Sequence, residues 1–96
     1  MMALVWTPEA IQDRDDIYDH IEADNPAAAL ALDELFSEKA ARLSDHPSLG
    51  RLGRVANTRE LVTHQNYILV YDLDGHLVRV LRVLHAARQW PPSRKL

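Results

Sequence analysis

The chain has 96 residues, 47% hydrophobic and 26% charged, with no cysteine and a formal net charge of −3. That length suits one small domain burying only about 60–65% of its unfolded surface, and the missing cysteines exclude disulfides and thiolate metal sites. The charge is split, with three basic against eleven acidic residues over 1–48 and eight basic against three acidic over 49–96, so the second half suits an anionic partner.

The opening MMALVW lacks a basic segment and a long apolar core, so no signal peptide is expected. No apolar run approaches the ~20 residues that span a bilayer, which makes the cytosol the expected compartment, with no membrane partner. Ala3 to Trp6 reads as a short apolar strand. Thr7-Pro8-Glu9 then combines an N-cap, a proline at the first helical position and a first-turn acid. A helix should follow to about Ala23, burying Ala10, Ile17 and Ile21 with Ile11 and Tyr18, and turning Asp13, Asp15, Asp16 and Asp19 outward. Asn25-Pro26 repeats the cap signal and opens a second helix to about Ser44, with Ala29, Leu32, Leu35, Phe36, Ala40 and Leu43 at helical spacing. Its alanine-rich start allows close antiparallel packing on the first helix.

His46-Pro47 stops that helix, and Ser48 to Ala56 is expected to be a flexible basic loop. Thr58 to Thr63 alternates as a half-exposed strand should, and His64-Gln65-Asn66 turns into a central hairpin of Tyr67–Leu73 and His76–His85. With Asp74-Gly75 as a type I′ turn, Leu73 faces His76, and the pairs Tyr71/Val78, Leu69/Val80 and Tyr67/Arg82 share one face. Ile68, Val70, Asp72, Leu77, Arg79, Leu81, Val83 and His85 share the other. Both faces are mostly apolar, which places the hairpin in the middle of the fold. Pro91-Pro92 ends regular structure and residues 93–96 form a frayed tail. The expected fold is α+β, in the order β-α-α-β-β-β over residues 1–92. A two-helix hairpin packs on one face of a curved, mainly antiparallel four-stranded sheet.

No phosphate loop, HExxH motif or GxSxG motif is present. The basic half instead collects His46, His64 and His85 with Arg51, Arg54, Arg59, Arg82 and Arg88. Imidazoles move protons near neutral pH and guanidiniums hold phosphates, so the set suits RNA phosphodiester cleavage without a metal or cofactor. The same residues also have structural roles open to them. His85 can be a strand-end hydrogen-bonder, Arg82 can lie beside Tyr67, Arg79 can pair with Asp72 across the strands, and Trp90 can either stack on a base or pin a chain terminus.

The element order together with YILVYD (Tyr67–Asp72) and RVLHAARQW (Arg82–Trp90) resembles the RelE/ParE superfamily of toxins from bacterial type II toxin–antitoxin modules. The resemblance implies a growth-arresting toxin neutralised by a cognate antitoxin. Some relatives cleave mRNA in the ribosomal A site, and the ParE branch poisons DNA gyrase. The chain has Ile68 and Leu61 where RelE-type nucleases carry cations, keeps Arg59, and has no tyrosine beyond Trp90. An apolar residue at position 68 is shared with ParE proteins and with the histidine-dependent nucleases typified by YafQ. The expected activity is ribosome-associated mRNA cleavage by an mRNA interferase, with gyrase poisoning as the alternative and a non-toxic binding module as the third reading. His85 and His64 would transfer protons, Arg51, Arg54, Arg59, Arg82 and Arg88 would hold phosphate, and Trp90 would stack on a base. The antitoxin is expected to be acidic or amphipathic and to cover apolar surface together with the basic loop.

Overall fold

A computed structural model describes residues 1–87 as β1 (Ala3–Trp6), α1 (Pro8–Glu22), α2 (Pro26–Arg42), β2 (Arg51–Leu52), β3 (Arg59–His64), β4 (Tyr67–Asp74) and β5 (Leu77–His85). Arg88, Trp90, the Pro91-Pro92 stop and the tail expected at 93–96 lie outside the described residues. The sheet order is β1-β5-β4-β3-β2, with β1 parallel to β5 and the other pairs antiparallel. The sheet therefore has five strands rather than four. The extra one, β2, lies inside the expected flexible loop, where Arg51 pairs with Glu60 and Leu52 with Arg59. A two-residue strand has no alternation to detect.

Both helix starts form as their sequences dictate. Thr7 Oγ1 accepts from Ala10 N–H at 3.1 Å, Asn25 Oδ1 accepts from Ala28 N–H at 3.1 Å, and a proline follows each cap. Arg14 ties the two helices together, bonding Asp33 and Ser37 while its guanidinium lies 4.5 Å over the Trp6 ring. Two positions on α1 differ from the expected stripe. Ile11 is exposed, and Asp13 turns inward to the sheet, where Arg82 and the Val83 N–H hold it. Among the described residues no helix is long and apolar enough to cross a membrane.

Phe36, Ala40 and Leu43 of the α2 segment meet Leu61, Leu69, Tyr71, Val78, Val80 and Val83 in the main core. By strand alternation Ile68, Val70 and Leu84 form a smaller buried cluster on the opposite sheet face. Each buried aliphatic side chain contributes about 1.5–3 kcal/mol, and most of them lie in β4 and β5. The hairpin is central, as its two apolar faces imply.

Its register, however, is not the expected one. The two-residue loop is Gly75-His76, with Asp74 paired to Leu77 and Gly75 at φ 57°. Glycine takes that left-handed value without a Cβ clash, as the first central residue of a type II′-like turn. Asp72 therefore lies directly across from Arg79, and the expected ion pair forms, with Arg79 Nε donating to Asp72 Oδ1 at 2.8 Å. Between Val80 and Arg82 the pairing slips, leaving Leu81 as the extra residue of a β-bulge. Arg82 then faces Val70, and His85 faces Tyr67 in its place. Val83 and His85 move to the helix side. The helical layer holds this kink, because Thr7 Oγ1 donates to Leu81 O at 2.9 Å and Asp13 accepts the Val83 N–H at 2.9 Å.

Candidate functional site

Two register shifts bring three rings into a row across the strand ends, the Leu81 bulge in β5 and a second one in β3 between Val62 and His64. His64 pairs with Tyr67 on one side and His85 pairs with it on the other. The His85 ring stands edge-on to Tyr67 with centroids 5.2 Å apart, and His64 lies 6.1 Å away at a tilt. Phe36 braces Tyr67 from the core side at 5.7 Å. Both imidazoles are exposed, and both use Nδ1 as an acceptor, His85 from Ala87 N–H at 3.1 Å and His64 from Asn66 N–H at 3.2 Å. A neutral ring bonded this way carries its proton on Nε2, so each presents a donor to solvent.

His85 and Tyr67 open onto a hollow of about 360 Å³ whose other walls are Asp13, Asp16, Ile17, His20 and Val83. A second hollow of about 440 Å³ lies on the His64 side of Tyr67, lined mainly by Ile21, Ala28, Ala31, Leu32 and Leu35. The first holds two carboxylates, of which Asp13 is paired with Arg82, and the second is apolar. Among the described residues neither is lined by an arginine or a lysine, the cations that hold a phosphodiester. Among the described residues no group of three or more His, Asp or Glu is placed to hold a metal ion.

The arginines expected beside His85 are engaged elsewhere. Arg82 donates twice to Asp13, at 2.7 and 3.0 Å, and those hydrogen bonds raise its guanidinium above the ordinary range against the opposing effect of burial. Arg51 and Arg54 both turn to the Glu60 carboxylate, which is only 1% exposed, at 3.2 and 3.5 Å. The Arg54 backbone N–H also donates to it at 3.0 Å. Arg59 donates to the Gly50 carbonyl at 2.7 Å. It pairs with Tyr71, four residues along β4 from Tyr67, which separates it from His85 by roughly 13 Å of strand. His64 and His85 are thus brought together, whereas Arg51, Arg54 and Arg59 stand at the other end of the sheet. Arg88 and Trp90 fall outside the described residues.

Tyr67, Asp16 and His20 were not among the residues expected at the site. Asp16 and His20 stand four apart on α1, a spacing that puts them on one face. Tyr67 becomes recognisable only once the bulge sets it opposite His85.

The chain is similar to known toxins over nearly its whole length. A family profile described as the ParE toxin of the type II toxin-antitoxin system, parDE, matches residues 4–90. The chain is 38% identical to Y4kP of Sinorhizobium fredii over 87 residues, covering 90% of each protein. It is 36% identical to toxin RelE2 of Caulobacter vibrioides over 88 residues, covering 92% of this chain and 99% of the other. Among solved structures, a chain of the chromosomal ParDE system from P. aeruginosa superposes with a TM-score of 0.80 at 28% identity, over 88% of this chain and 96% of that one.

Proposed function

The chain belongs to the ParE toxin family of type II toxin–antitoxin systems, within the RelE/ParE superfamily, and we propose that it acts as a ParE-like poison of DNA gyrase rather than as an mRNA endonuclease. One observation carries this reading. Among the described residues no arginine or lysine lines the hollow at His85: Arg82 is paired with Asp13 beside it, Asp16 adds a further carboxylate, and Arg51, Arg54 and Arg59 stand at the other end of the sheet. A ribonuclease must stabilise a phosphorane with cations at the reacting phosphate, and a described lining that holds carboxylates but no arginine or lysine works against it. The ParE family match and the ParDE structural relative support the same direction. In this reading the strand end around His85, Tyr67 and His64 is a protein-contact surface, and His85 moves no proton. A cognate antitoxin neutralises the toxin, in keeping with the toxin–antitoxin systems among its structural relatives.

Messenger cleavage remains the second reading, favoured by the two exposed imidazoles flanking Tyr67. Induction in bacteria separates the two readings. Growth should stop and recover when the neighbouring antitoxin gene is co-expressed. Transcripts should stay intact while gyrase-dependent double-strand breaks accumulate, and His85→Ala should change the break yield by less than about tenfold. Cleaved transcripts, with cleavage slowed by roughly 10²–10⁴-fold in His85→Ala, would overturn the gyrase assignment.

A further inference from the structure

At the other end of the sheet, a hollow of about 430 Å³ opens between the loop over residues 53–58 and the end of β4. Leu52, Val55, Thr58, Arg59 and Leu73 line it, and Leu52 is 78% exposed and Leu73 43%. Arg59 donates through Nη1 to the carbonyls of Gly50 and Ser48, both neutral acceptors. Its Nε and Nη2 have no partner among the described residues. Nearby, Arg51 and Arg54 share the single carboxylate of Glu60, so this segment carries an excess of positive charge. The Asp72 carboxylate at the hollow's rim is occupied by Arg79 and does not cancel Arg59. Among the described residues the strand edge is open here too: β3 begins opposite Tyr71, whereas β4 runs on to Asp74 with β5 alone beside it.

An unmatched guanidinium, two exposed leucines and an open strand edge call for an anionic, aliphatic and extended occupant. A nucleic acid would satisfy the cation but leave the leucines against phosphate and water, and among the described residues no aromatic side chain lines the hollow for a base to stack on. We propose that this hollow seats an acidic, aliphatic segment of the antitoxin. A carboxylate docks on Nε and Nη2 of Arg59, and an aliphatic side chain inserts between Leu52 and Leu73. The assignment rests on the toxin–antitoxin reading above and names the place where the two proteins lock together.

Titration calorimetry of the purified toxin against the full-length protein encoded beside it tests the assignment. Leu52→Asp should raise Kd by about 10- to 100-fold, and Arg59→Gln should do the same. Leu52 is exposed, so Leu52→Asp should keep its melting temperature, and it decides the matter if Arg59→Gln loosens the loop. Leu30→Asp, at an exposed leucine of α2, should stay within about threefold of wild type. A tight complex that Leu52→Asp leaves untouched, or weakens no more than Leu30→Asp does, overturns this site while the toxin–antitoxin reading stands. No complex with the wild type removes both. Binding of a single-stranded RNA or duplex DNA that Arg59→Gln abolishes, with antitoxin affinity unmoved, marks a nucleic-acid site instead and also overturns the proposal.

Discussion

Tyr67 and Tyr71 stand four residues apart on the same face of β4, and their surroundings differ completely. Tyr71 is fully buried, donates its hydroxyl to Pro47 O at 2.7 Å and accepts the Gly50 N–H at 2.9 Å. Position 50 must be glycine for this to fit, because a Cβ there would come within 2.8 Å of the Tyr71 ring. Tyr67 is half-buried, and its hydroxyl meets no partner among the described residues. Its ring is held instead by Phe36 and two imidazoles. At one end of the strand the hydroxyl is closed in by the chain's own loop, and at the other no described residue bonds it. A buried hydroxyl must be satisfied internally, whereas one at the surface has water or a partner to meet it.

The largest effect should come from Tyr71→Ala, which removes a buried ring and strands two backbone groups. It should cost about 3–5 kcal/mol in urea denaturation, and a loss under about 1 kcal/mol would dissolve the contrast between the two ends. Asp13→Ala comes next, because it removes the carboxylate that the partly buried Arg82 and the Val83 N–H both use. A loss of about 3 kcal/mol is expected. The same variant should loosen the bulge, visible as faster hydrogen exchange at Val83 and Leu84.

Tyr71→Phe is a subtler break, costing about 1–3 kcal/mol for the two unpaired backbone groups. It also carries a pH signature. Burial raises the Tyr71 phenol above its ordinary 10.0, against the lowering pull of the Gly50 hydrogen bond and the Arg59 charge. A folded pKa above the unfolded one contributes stability that is whole below the unfolded value and lost as pH rises through the folded one. The wild-type melting temperature should therefore fall more steeply above pH 10 than that of Tyr71→Phe. Parallel slopes would place the alkaline transition elsewhere. The smallest effect is Tyr67→Phe, expected to change stability by less than about 0.5 kcal/mol. A loss as large as that of Tyr71→Phe would mean the Tyr67 hydroxyl is engaged after all.

What was legible in the sequence is what acts locally. Thr7-Pro8 and Asn25-Pro26 start helices through contacts three residues away, and both helices begin where those signals stand. The strands of the hairpin were visible in their apolar, β-branched runs. Its register was not, because the Leu81 bulge is held by Thr7 and Asp13 from the other end of the chain. The same blindness affected the charges. Residue counts revealed a basic half, but not that Arg82 would meet Asp13 across 69 residues or that Glu60 would be buried between Arg51 and Arg54. His85 and His64 were recognisable as chemistry-bearing types. Their shared neighbour Tyr67 depended on two one-residue slips, in β3 and in β5, that side-chain alternation cannot report.

The parallel pairing of β1 with β5 sets an order of events in time. Thr7 bonds Leu81 across a separation of 74 residues, and Ala3 to Trp6 lie beside Leu77 to Val80. The first of the described strands thus has its partner in the last of them, and closing so long a loop comes at an entropic cost that local contacts do not bear. While the chain is still emerging, the two capped helices can coil, but β1 has nothing to pair with. The sheet, and with it the kink that sets His85 against Tyr67, is completed only after β5 has appeared.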